Sequence, residues 1–292
     1  MTRRFLLFGQ LDPLVLLVPA GPFYNGYVLG AHALAPTSWG FAVALVCIIP
    51  FLGAGTVLLN DLYDAGVDRG SPRKSATASA NGTTSGRSLA LAAAACLAVA
   101  LALATAVSPA FLAVVAALVA LSLAYSVPPV QLSRRAGLDL AANAVGIGGL
   151  CTMAGWVVAA GITLPPPAWL ATSSLGTGTY FVLTTLLDIG PDEAAGKTTV
   201  GVRLGWRRAC WLGAGLIAAA DAGIVWMSVT GTILHPSFLW VAAPIIAGEL
   251  WVFPALAARP RSARLGLLAM SALLFVGNLA ILLSYLRMIG PF

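Results

Sequence analysis

Nine predominantly apolar stretches alternate with short polar segments along the chain. Each stretch holds about 20 residues, the length that an α-helix needs to cross the hydrocarbon core of a bilayer. The pattern therefore predicts nine membrane-spanning helices. The predicted spans are residues 13–34, 39–60, 88–107, 109–127, 138–160, 168–188, 209–230, 238–257 and 265–288.

The polar segments carry very different charges on the two sides of these predicted spans. Basic residues are concentrated before span 1 and after spans 2, 4, 6 and 8, and of the 16 Lys and Arg residues only Arg287 falls on the opposite side. An excess of Lys and Arg is typical of cytoplasmic loops. The chain is therefore predicted to be a multi-pass protein of the cell membrane with a cytoplasmic N-terminus, an external C-terminus and one transmembrane domain over residues 1–292.

The composition agrees with this topology and excludes other classes of protein. Hydrophobic residues make up 59% of the chain and charged residues 9%, and the mean hydropathy is +0.92. A soluble domain carries about 25% charged residues, so a soluble globule, a disordered chain and a secreted disulfide scaffold are excluded. The basic residues lie in short loops rather than along a folded face, which argues against a nucleic-acid partner. The four cysteines stand singly in apolar runs and are expected to be buried thiols.

Five of the eight aspartates form two clusters, each at the predicted cytoplasmic end of a span. Asp61, Asp64 and Asp68 follow span 2 and share one face if that helix continues, and Asp188 and Asp192 follow span 6. Clustered carboxylates repel one another and raise each other's pKa unless a cation neutralises them. Because oxygen ligands suit a hard ion, the two clusters predict a Mg²⁺ site.

The remaining aspartates, Asp12, Asp139 and Asp221, are expected to be helix-terminal or isolated structural groups. No path of charged residues is expected to lead from the clusters toward the other membrane face. The clusters are also flanked by cations, which fits a polyanion such as a diphosphate bridging metal and basic residues. Positive-inside sorting alone also explains most of the arginines.

These motifs resemble those of the UbiA superfamily of intramembrane prenyltransferases. The sequence N-D-x-x-D-x-x-x-D at 60–68 matches that family's first aspartate-rich motif at every fixed position. The sequences D-x-x-x-D at 188–192 and G-K-T-T at 196–199 are similar to the second motif. Between them, Y-S-V-P-P-V-Q-L at 125–132 is similar to the family's tyrosine motif at the end of the fourth helix.

The resemblance implies an all-α bundle of about nine helices around a central cavity. Two Mg²⁺ ions would clamp a prenyl diphosphate, the segments 61–87 and 188–208 would form cytoplasmic loops that cap the active site, and an aromatic or other lipophilic acceptor would attack the allylic cation. The implied metal ligands are Asp61, Asp64, Asp68, Asp188 and Asp192. The implied diphosphate-binding residues are Asn60, Arg73, Lys74, Arg134 and Lys197.

The implied catalytic residues are Asp61, Asp64, Asp188, Asp192 and Tyr125. The Tyr125 ring is near enough to the same membrane face to stabilise the cation or to contact the diphosphate, although an interfacial aromatic anchor explains a tyrosine there equally well. One departure from the family pattern is Gly190-Pro191, where relatives commonly carry an acidic residue and a glycine. Since proline lacks an N–H, a distorted helix is expected between Asp188 and Asp192.

Two other functions fit parts of the pattern. A membrane terpene cyclase of the same superfamily would ionise the diphosphate in the same way, and the cation would be captured by the substrate's own double bonds. A transporter is a third alternative, because intramembrane acids often mark ion paths. The position of both clusters at one membrane face, away from the midplane, argues against a transporter.

Overall fold

The architecture is known from a computed structural model that describes residues 17–36, 38–68, 84–259 and 263–289. In these ranges the chain forms nine helices that correspond one by one to the predicted spans, and it forms no β-strand. Seven of the helical segments are long and apolar enough to cross a membrane. The prediction of an all-α, polytopic transmembrane bundle is therefore confirmed, and the chain is an integral membrane protein.

The helix bounds follow the hydrophobic pattern closely, and two of the helices contain a π-helical segment. In chain order the helices are α1 (Ala20–Ala31), α2 (39–68, with the π segment Cys47–Gly53), α3 (Gly86–Val107), α4 (Pro109–Ser126), α5 (138–160, with the π segment Ala144–Leu150), α6 (Pro167–Ala194), α7 (Val200–Val229, kinked at Gly205, whose φ is +69°), α8 (Leu239–Ala258) and α9 (Ala263–Ile289). Pro50 lies in the π segment of α2. Because proline lacks the N–H that a regular α-helix would use, an irregular turn is expected at that position.

Helices α2 and α6 continue beyond the predicted spans and carry the acidic motifs with them. Residues 61–68, 188–194 and 200–208 were predicted to lie in capping loops but are assigned to helices. Pro191 does not end α6, which continues to Ala194. Because Pro191 has no N–H, the helix lacks the backbone hydrogen bond that this residue would otherwise donate to the Leu187 carbonyl oxygen. The aspartates of each motif are consequently spaced along a helix rather than along a loop.

Small residues allow α1 and α5 to cross in direct backbone contact. A Cβ atom on Gly26 would stand 1.9 Å from the Thr152 carbonyl oxygen, and a Cβ atom on Gly155 would stand 1.8 Å from the Phe23 carbonyl oxygen. Since real contacts are never so short, only glycine fits at both positions. This is the small-residue packing that brings helices together in lipid, where no hydrophobic force drives them to associate.

All four cysteines are buried and unpaired, as the sequence predicts. Cys47, Cys96, Cys151 and Cys210 lie among apolar side chains of the bundle, and the Cys47 thiol donates to the Ala100 carbonyl oxygen. They act as small hydrophobic residues in the helix contacts.

Candidate active site

The two acidic motifs are joined by a lysine at one end of the bundle. The Lys197 ammonium donates to Asp64 Oδ2 of α2 at 2.7 Å and lies 3.9 Å from Asp192 Oδ1 of α6. All three side chains are buried. One buried ammonium between two carboxylates neutralises one of their two negative charges and offsets part of the cost of their desolvation.

The connection between α6 and α7 holds Lys197 in this position. Gly196 adopts a φ of +69°, in the left-handed region that favours glycine, and so turns the chain back after α6. The Lys197 N–H donates to the Asp192 carbonyl oxygen at 2.9 Å. Thr198 forms a backbone bridge with Arg135. The lysine is therefore attached both to the end of α6 and to the connection between α4 and α5.

Asp139 is the residue that links these two connections. It is fully buried, and its Oδ1 accepts from the N–H groups of Gly137 and Leu140 at 2.8 Å each. Its Oδ2 accepts from the Val200 N–H at the start of α7, at 2.7 Å. Asp139 is thus the helix-terminal structural group that the sequence predicts.

Arg134 lies near the other carboxylate oxygen of Asp64, the one that Lys197 does not contact. Its Nη2 lies 4.0 Å from Asp64 Oδ1, while its side chain remains 37% exposed. An ion pair at this distance and exposure contributes little to stability. The guanidinium is therefore available to an anionic ligand that presents better acceptors.

Buried polar atoms without a hydrogen-bond partner are concentrated at this end of the bundle. In the described part of the chain, four such atoms lie here, and they are Asp64 Oδ1, Ser126 Oγ, Ser133 Oγ and Arg134 Nε. A buried polar group without a partner costs about 1–3 kcal/mol. Their clustering marks this end of the bundle as a place where a polar ligand or ordered water finds hydrogen-bond partners.

Tyr125 and Asn60 lie on the helices that border this cluster. Tyr125 is in the last turn of α4, its hydroxyl is hydrogen-bonded to the Asn143 side chain, and it is close enough to Asp139, Asp64 and Asp192 to interact with their charges. Asn60 is half-buried in α2, one turn before Asp64. Both residues are brought to the end of the bundle where the two motifs meet.

The remaining predicted site residues are distributed as follows. Asp61 and Asp188 lie about one helical turn before Asp64 and Asp192, respectively, on the same two helices. The backbone of Asp68 ends α2. The side chain of Asp68 lies outside the described residues, as do Arg73 and Lys74.

The donor set fits a hard divalent cation. The two motifs offer carboxylate oxygens, which are the preferred ligands of Mg²⁺, and the buried Asp64 Oδ1 has no hydrogen-bond partner. Among the described residues, no three acidic, histidine or cysteine side chains converge on one point. Lys197 stands between the two carboxylates instead, so metal binding at this position requires the ammonium to give way.

Asp192 follows predicted span 6. Several neighbouring groups shift the pKa of its carboxyl group in opposite directions. Burial raises the pKa of this carboxyl group, the Lys197 ammonium lowers it, and the neighbouring Asp188 raises it again. The net shift is upward, as expected for carboxylates gathered in one buried place.

A second polar cluster lies deeper in the bundle and was not predicted. Asp221 of α7 and Glu249 of α8 are both buried, and their carboxyl groups are hydrogen-bonded to each other. Asp221 was expected to be an isolated structural group, and no further acidic or basic residue was expected between the clusters and the other membrane face. The Asp221–Glu249 pair shows that both expectations are wrong. Glu249 is the acidic residue of predicted span 8, and the cost of a carboxylate inside a span was the signal that could have marked it.

This pair borders a cavity of about 390 Å³ lined by residues of α1, α5, α6, α7, α8 and α9. The wall is mainly apolar, and its polar side chains include Asn25, Thr172, Tyr180 and Asn278. Asn25 donates to Asn278 Oδ1 at 2.8 Å, which joins α1 to α9. The aspartates of the two motifs are not among the lining residues. We refer to this cavity as the inner chamber.

Comparisons with known proteins agree with this architecture. The model of the UbiA prenyltransferase family matches residues 20–271. Among solved structures, a UbiA homologue from Archaeoglobus fulgidus bound to GPP and Mg²⁺ has a TM-score of 0.75 at 23% identity, covering 98% of each chain. The same homologue bound to DMAPP and Mg²⁺ has a TM-score of 0.72 at 23% identity, covering 95% of this chain and 99% of the other.

A structure of digeranylgeranylglyceryl phosphate synthase has a TM-score of 0.69 at 14% identity, covering 94% of this chain and 95% of the other. At these identities the likeness establishes the shared fold. A comparison with curated proteins finds no match.

Proposed function

Because the chain belongs to the UbiA prenyltransferase family, we propose that it is a Mg²⁺-dependent intramembrane prenyltransferase. It ionises a prenyl diphosphate and transfers the prenyl group to an aromatic or other lipophilic acceptor. The active site is the end of the bundle where Asp64, Lys197 and Asp192 meet, and it faces the cytoplasm. The structural similarity to homologues that bind GPP or DMAPP with Mg²⁺ supports this choice of donor and metal.

The observation that carries the proposal is the group of four partnerless polar atoms around Asp64. A diphosphate offers acceptors to the Arg134 guanidinium and to the Ser126 and Ser133 hydroxyls. A divalent ion offers a partner to Asp64 Oδ1, and to the other carboxylates of the two motifs. The pair of ligands therefore satisfies every partnerless atom at this end of the bundle.

The proposed metal ligands are Asp61, Asp64, Asp68, Asp188 and Asp192. When bound, two divalent ions neutralise the negative charge that develops on the leaving diphosphate. Lys197 leaves the carboxylates of Asp64 and Asp192 and donates to the diphosphate, together with Arg134. Asn60, and Arg73 and Lys74 beyond the described residues, are proposed as further diphosphate contacts.

The chemical step breaks the bond between C1 of the prenyl group and the diphosphate oxygen, and the electron pair leaves with the diphosphate. The acceptor forms a new bond to C1 and loses a proton. The Tyr125 hydroxyl is hydrogen-bonded to Asn143, and the proposed role of its ring is to stabilise the allylic cation. The apolar bundle around the prenyl chain keeps water away from the cation.

The test is pyrophosphate release by the purified protein with Mg²⁺ and prenyl diphosphates of 10 to 20 carbons, with and without a panel of lipophilic acceptors. The proposal predicts release that depends on an acceptor and yields a prenylated product. Release without an acceptor, together with a hydrocarbon or terpene alcohol, would identify a cyclase or a hydrolase and contradict the transfer step.

A further inference from the structure

The connection between α6 and α7, residues 195–199, carries Lys197 and is attached to two different helices. At its first end, the Lys197 N–H donates to the Asp192 carbonyl oxygen of α6 at 2.9 Å. At its second end, the Val200 N–H donates to Asp139 Oδ2 of α5 at 2.7 Å. The position of Lys197 therefore depends on α5 as well as on the helix that precedes it.

The carboxylate of Asp139 is itself fixed, so it can hold the start of α7 in place. Asp139 is fully buried, and its Oδ1 accepts from the N–H groups of Gly137 and Leu140 at the start of its own helix. An ionised carboxylate only accepts hydrogen bonds, which suits three N–H donors. Hydrogen bonds to a charged acceptor are about twice as strong as those between neutral groups. Asp139 thus joins α7 to α5 through a strong, buried contact.

This contact matters for Lys197 because a lysine side chain is long and flexible. Its ammonium stays beside a particular carboxylate only while the backbone that carries it is fixed. The Lys197 ammonium lies 2.7 Å from Asp64 Oδ2 and 3.9 Å from Asp192 Oδ1. Val200 follows Lys197 by three residues, so a shift at the start of α7 also displaces the lysine. A fixed backbone restricts the exchange between carboxylates and diphosphate to the lysine side chain.

We propose that Asp139 is a positioning residue for prenyl transfer, which holds the start of α7 so that the Lys197 ammonium remains between the two acidic motifs. Both oxygens of Asp139 are engaged by backbone N–H groups, so it acts through Lys197 and not as a metal ligand. Its effect on catalysis rests on the proposed function, whereas the placement of Lys197 is measurable without any substrate.

Val200→Pro breaks the contact from the side of α7 and leaves the carboxylate intact. Val200 is the first residue of α7, a position that proline favours because the N–H there has no partner within the helix. Thr199 before it is extended, with φ −74° and ψ 166°, as a residue before proline prefers. The substitution therefore removes one hydrogen bond without disturbing the start of the helix.

Asp139→Asn breaks the same contact from the side of α5. The asparagine oxygen keeps the two hydrogen bonds from Gly137 and Leu140, so its amide nitrogen faces the Val200 N–H and cannot accept from it. The two variants thus remove one contact by different chemical changes.

Gly86→Pro is the matched control, because it places proline at the first position of α3. Ser85 before it is also extended, with φ −71° and ψ 147°. A Cβ atom on Gly86 would meet Leu62 Cδ1 at 3.5 Å, which is an ordinary contact. This variant should behave as the wild type in both measurements below.

The first measurement is the rate at which N-hydroxysuccinimidyl acetate acetylates Lys197, followed by mass spectrometry on the full-length protein in nanodiscs without Mg²⁺ or prenyl diphosphate. Lys197 is buried in an ion pair in the wild type, so its acetylation should be slow. We expect acetylation about tenfold faster in Val200→Pro and in Asp139→Asn. Wild-type rates in both variants would overturn the proposal. Faster acetylation in Asp139→Asn alone would also overturn it, because the effect would not come from the Val200 contact.

The second measurement is kcat/KM for pyrophosphate release with geranyl diphosphate, Mg²⁺ and an acceptor. We expect Val200→Pro to lower kcat/KM about tenfold in the wild-type background but less than about twofold in a Lys197→Met background, because the contact acts through the lysine. Equal losses in the two backgrounds would overturn the positioning role and leave Asp139 a purely structural residue. If the wild type releases no pyrophosphate, the proposed function fails, while the acetylation rates still decide whether Asp139 places Lys197.

Discussion

Lys197 donates to Asp64 at 2.7 Å across 133 residues of sequence, and this contact brings the two acidic motifs to one place. Asp64 belongs to α2, whereas Lys197 belongs to the connection that follows α6. The lysine supplies the positive charge that the carboxylates need when no metal is bound. We infer that Lys197 and the divalent ions compete for the same carboxylates.

This competition predicts that Lys197→Met makes the stability of the protein dependent on metal. Without Mg²⁺, loss of the ammonium leaves the buried Asp64 without its partner, at a cost of about 3–5 kcal/mol. We therefore expect a lower melting temperature in EDTA and a larger stabilisation by Mg²⁺ than in the wild type. Arg203→Met is the matched control, because Arg203 is an exposed cation of α7 near the same end of the bundle. Equal Mg²⁺ effects in both variants would rule out the competition.

The crossing of α1 and α5 predicts a strong effect of added volume at Gly155. The Cβ atom in Gly155→Ala would meet the Phe23 carbonyl oxygen, so the two helices must separate, which costs about 1–3 kcal/mol. A lower melting temperature in detergent is the expected result. Gly215→Ala is the control, because a Cβ atom there meets nothing within 4 Å and alanine favours the helix. Equal melting temperatures for the two variants would mean that the helices do not cross this closely.

The positive-inside pattern predicts which membrane face carries the acidic motifs. Glu193 is exposed beside Asp192, and Ile162 is 91% exposed in the turn between α5 and α6. With Ile162→Cys, a membrane-impermeant maleimide should label intact cells, whereas with Glu193→Cys it should label them only after permeabilisation. The four native cysteines are buried and give a low background. The reverse pattern of labelling would place the active site outside the cell.

Both histidines are predicted to be dispensable for chemistry. His32 follows the last turn of α1 and is hydrogen-bonded to the Tyr285 hydroxyl, and His235 caps a short turn before α8 through Ser237. In the predicted topology, both histidines lie at the membrane face opposite the one that carries the acidic motifs. His32→Ala and His235→Ala should therefore release pyrophosphate at rates within about twofold of the wild type. A much larger loss in a folded variant would show that the reaction occurs at the other membrane face.

The fold was predictable from the sequence because the membrane imposes a strict pattern on it. Apolar runs of about 20 residues located the helices to within a few residues at most ends. The exceptions are informative, since α2 and α6 extend past their predicted spans and α7 begins nine residues before its predicted span, as polar, helical segments that a hydropathy pattern cannot distinguish from loops. The close approach of Gly26 and Gly155 to neighbouring backbone depends on how the helices pack, which no local pattern specifies.

The candidate site was predictable in part. The sequence located Asp61, Asp64, Asp188 and Asp192 in two clusters after spans 2 and 6, but it predicted neither the helices that carry them nor the insertion of Lys197 between the clusters. That contact depends on the turn at Gly196, after the end of α6. The Asp221–Glu249 pair was missed because each acid is isolated in sequence, and the two meet only when α7 and α8 pack together.

The most direct test of the central claim compares pyrophosphate release by Asp64→Asn, Asp192→Asn and Glu193→Gln with that of the wild type, in Mg²⁺ and geranyl diphosphate with an acceptor. Glu193 is the control, because it is acidic and exposed and stands next to Asp192. If the motifs hold metal and diphosphate, both aspartate variants lose at least a hundredfold in rate while remaining folded, and Glu193→Gln keeps its activity. Wild-type rates in both aspartate variants would contradict the assignment of this site.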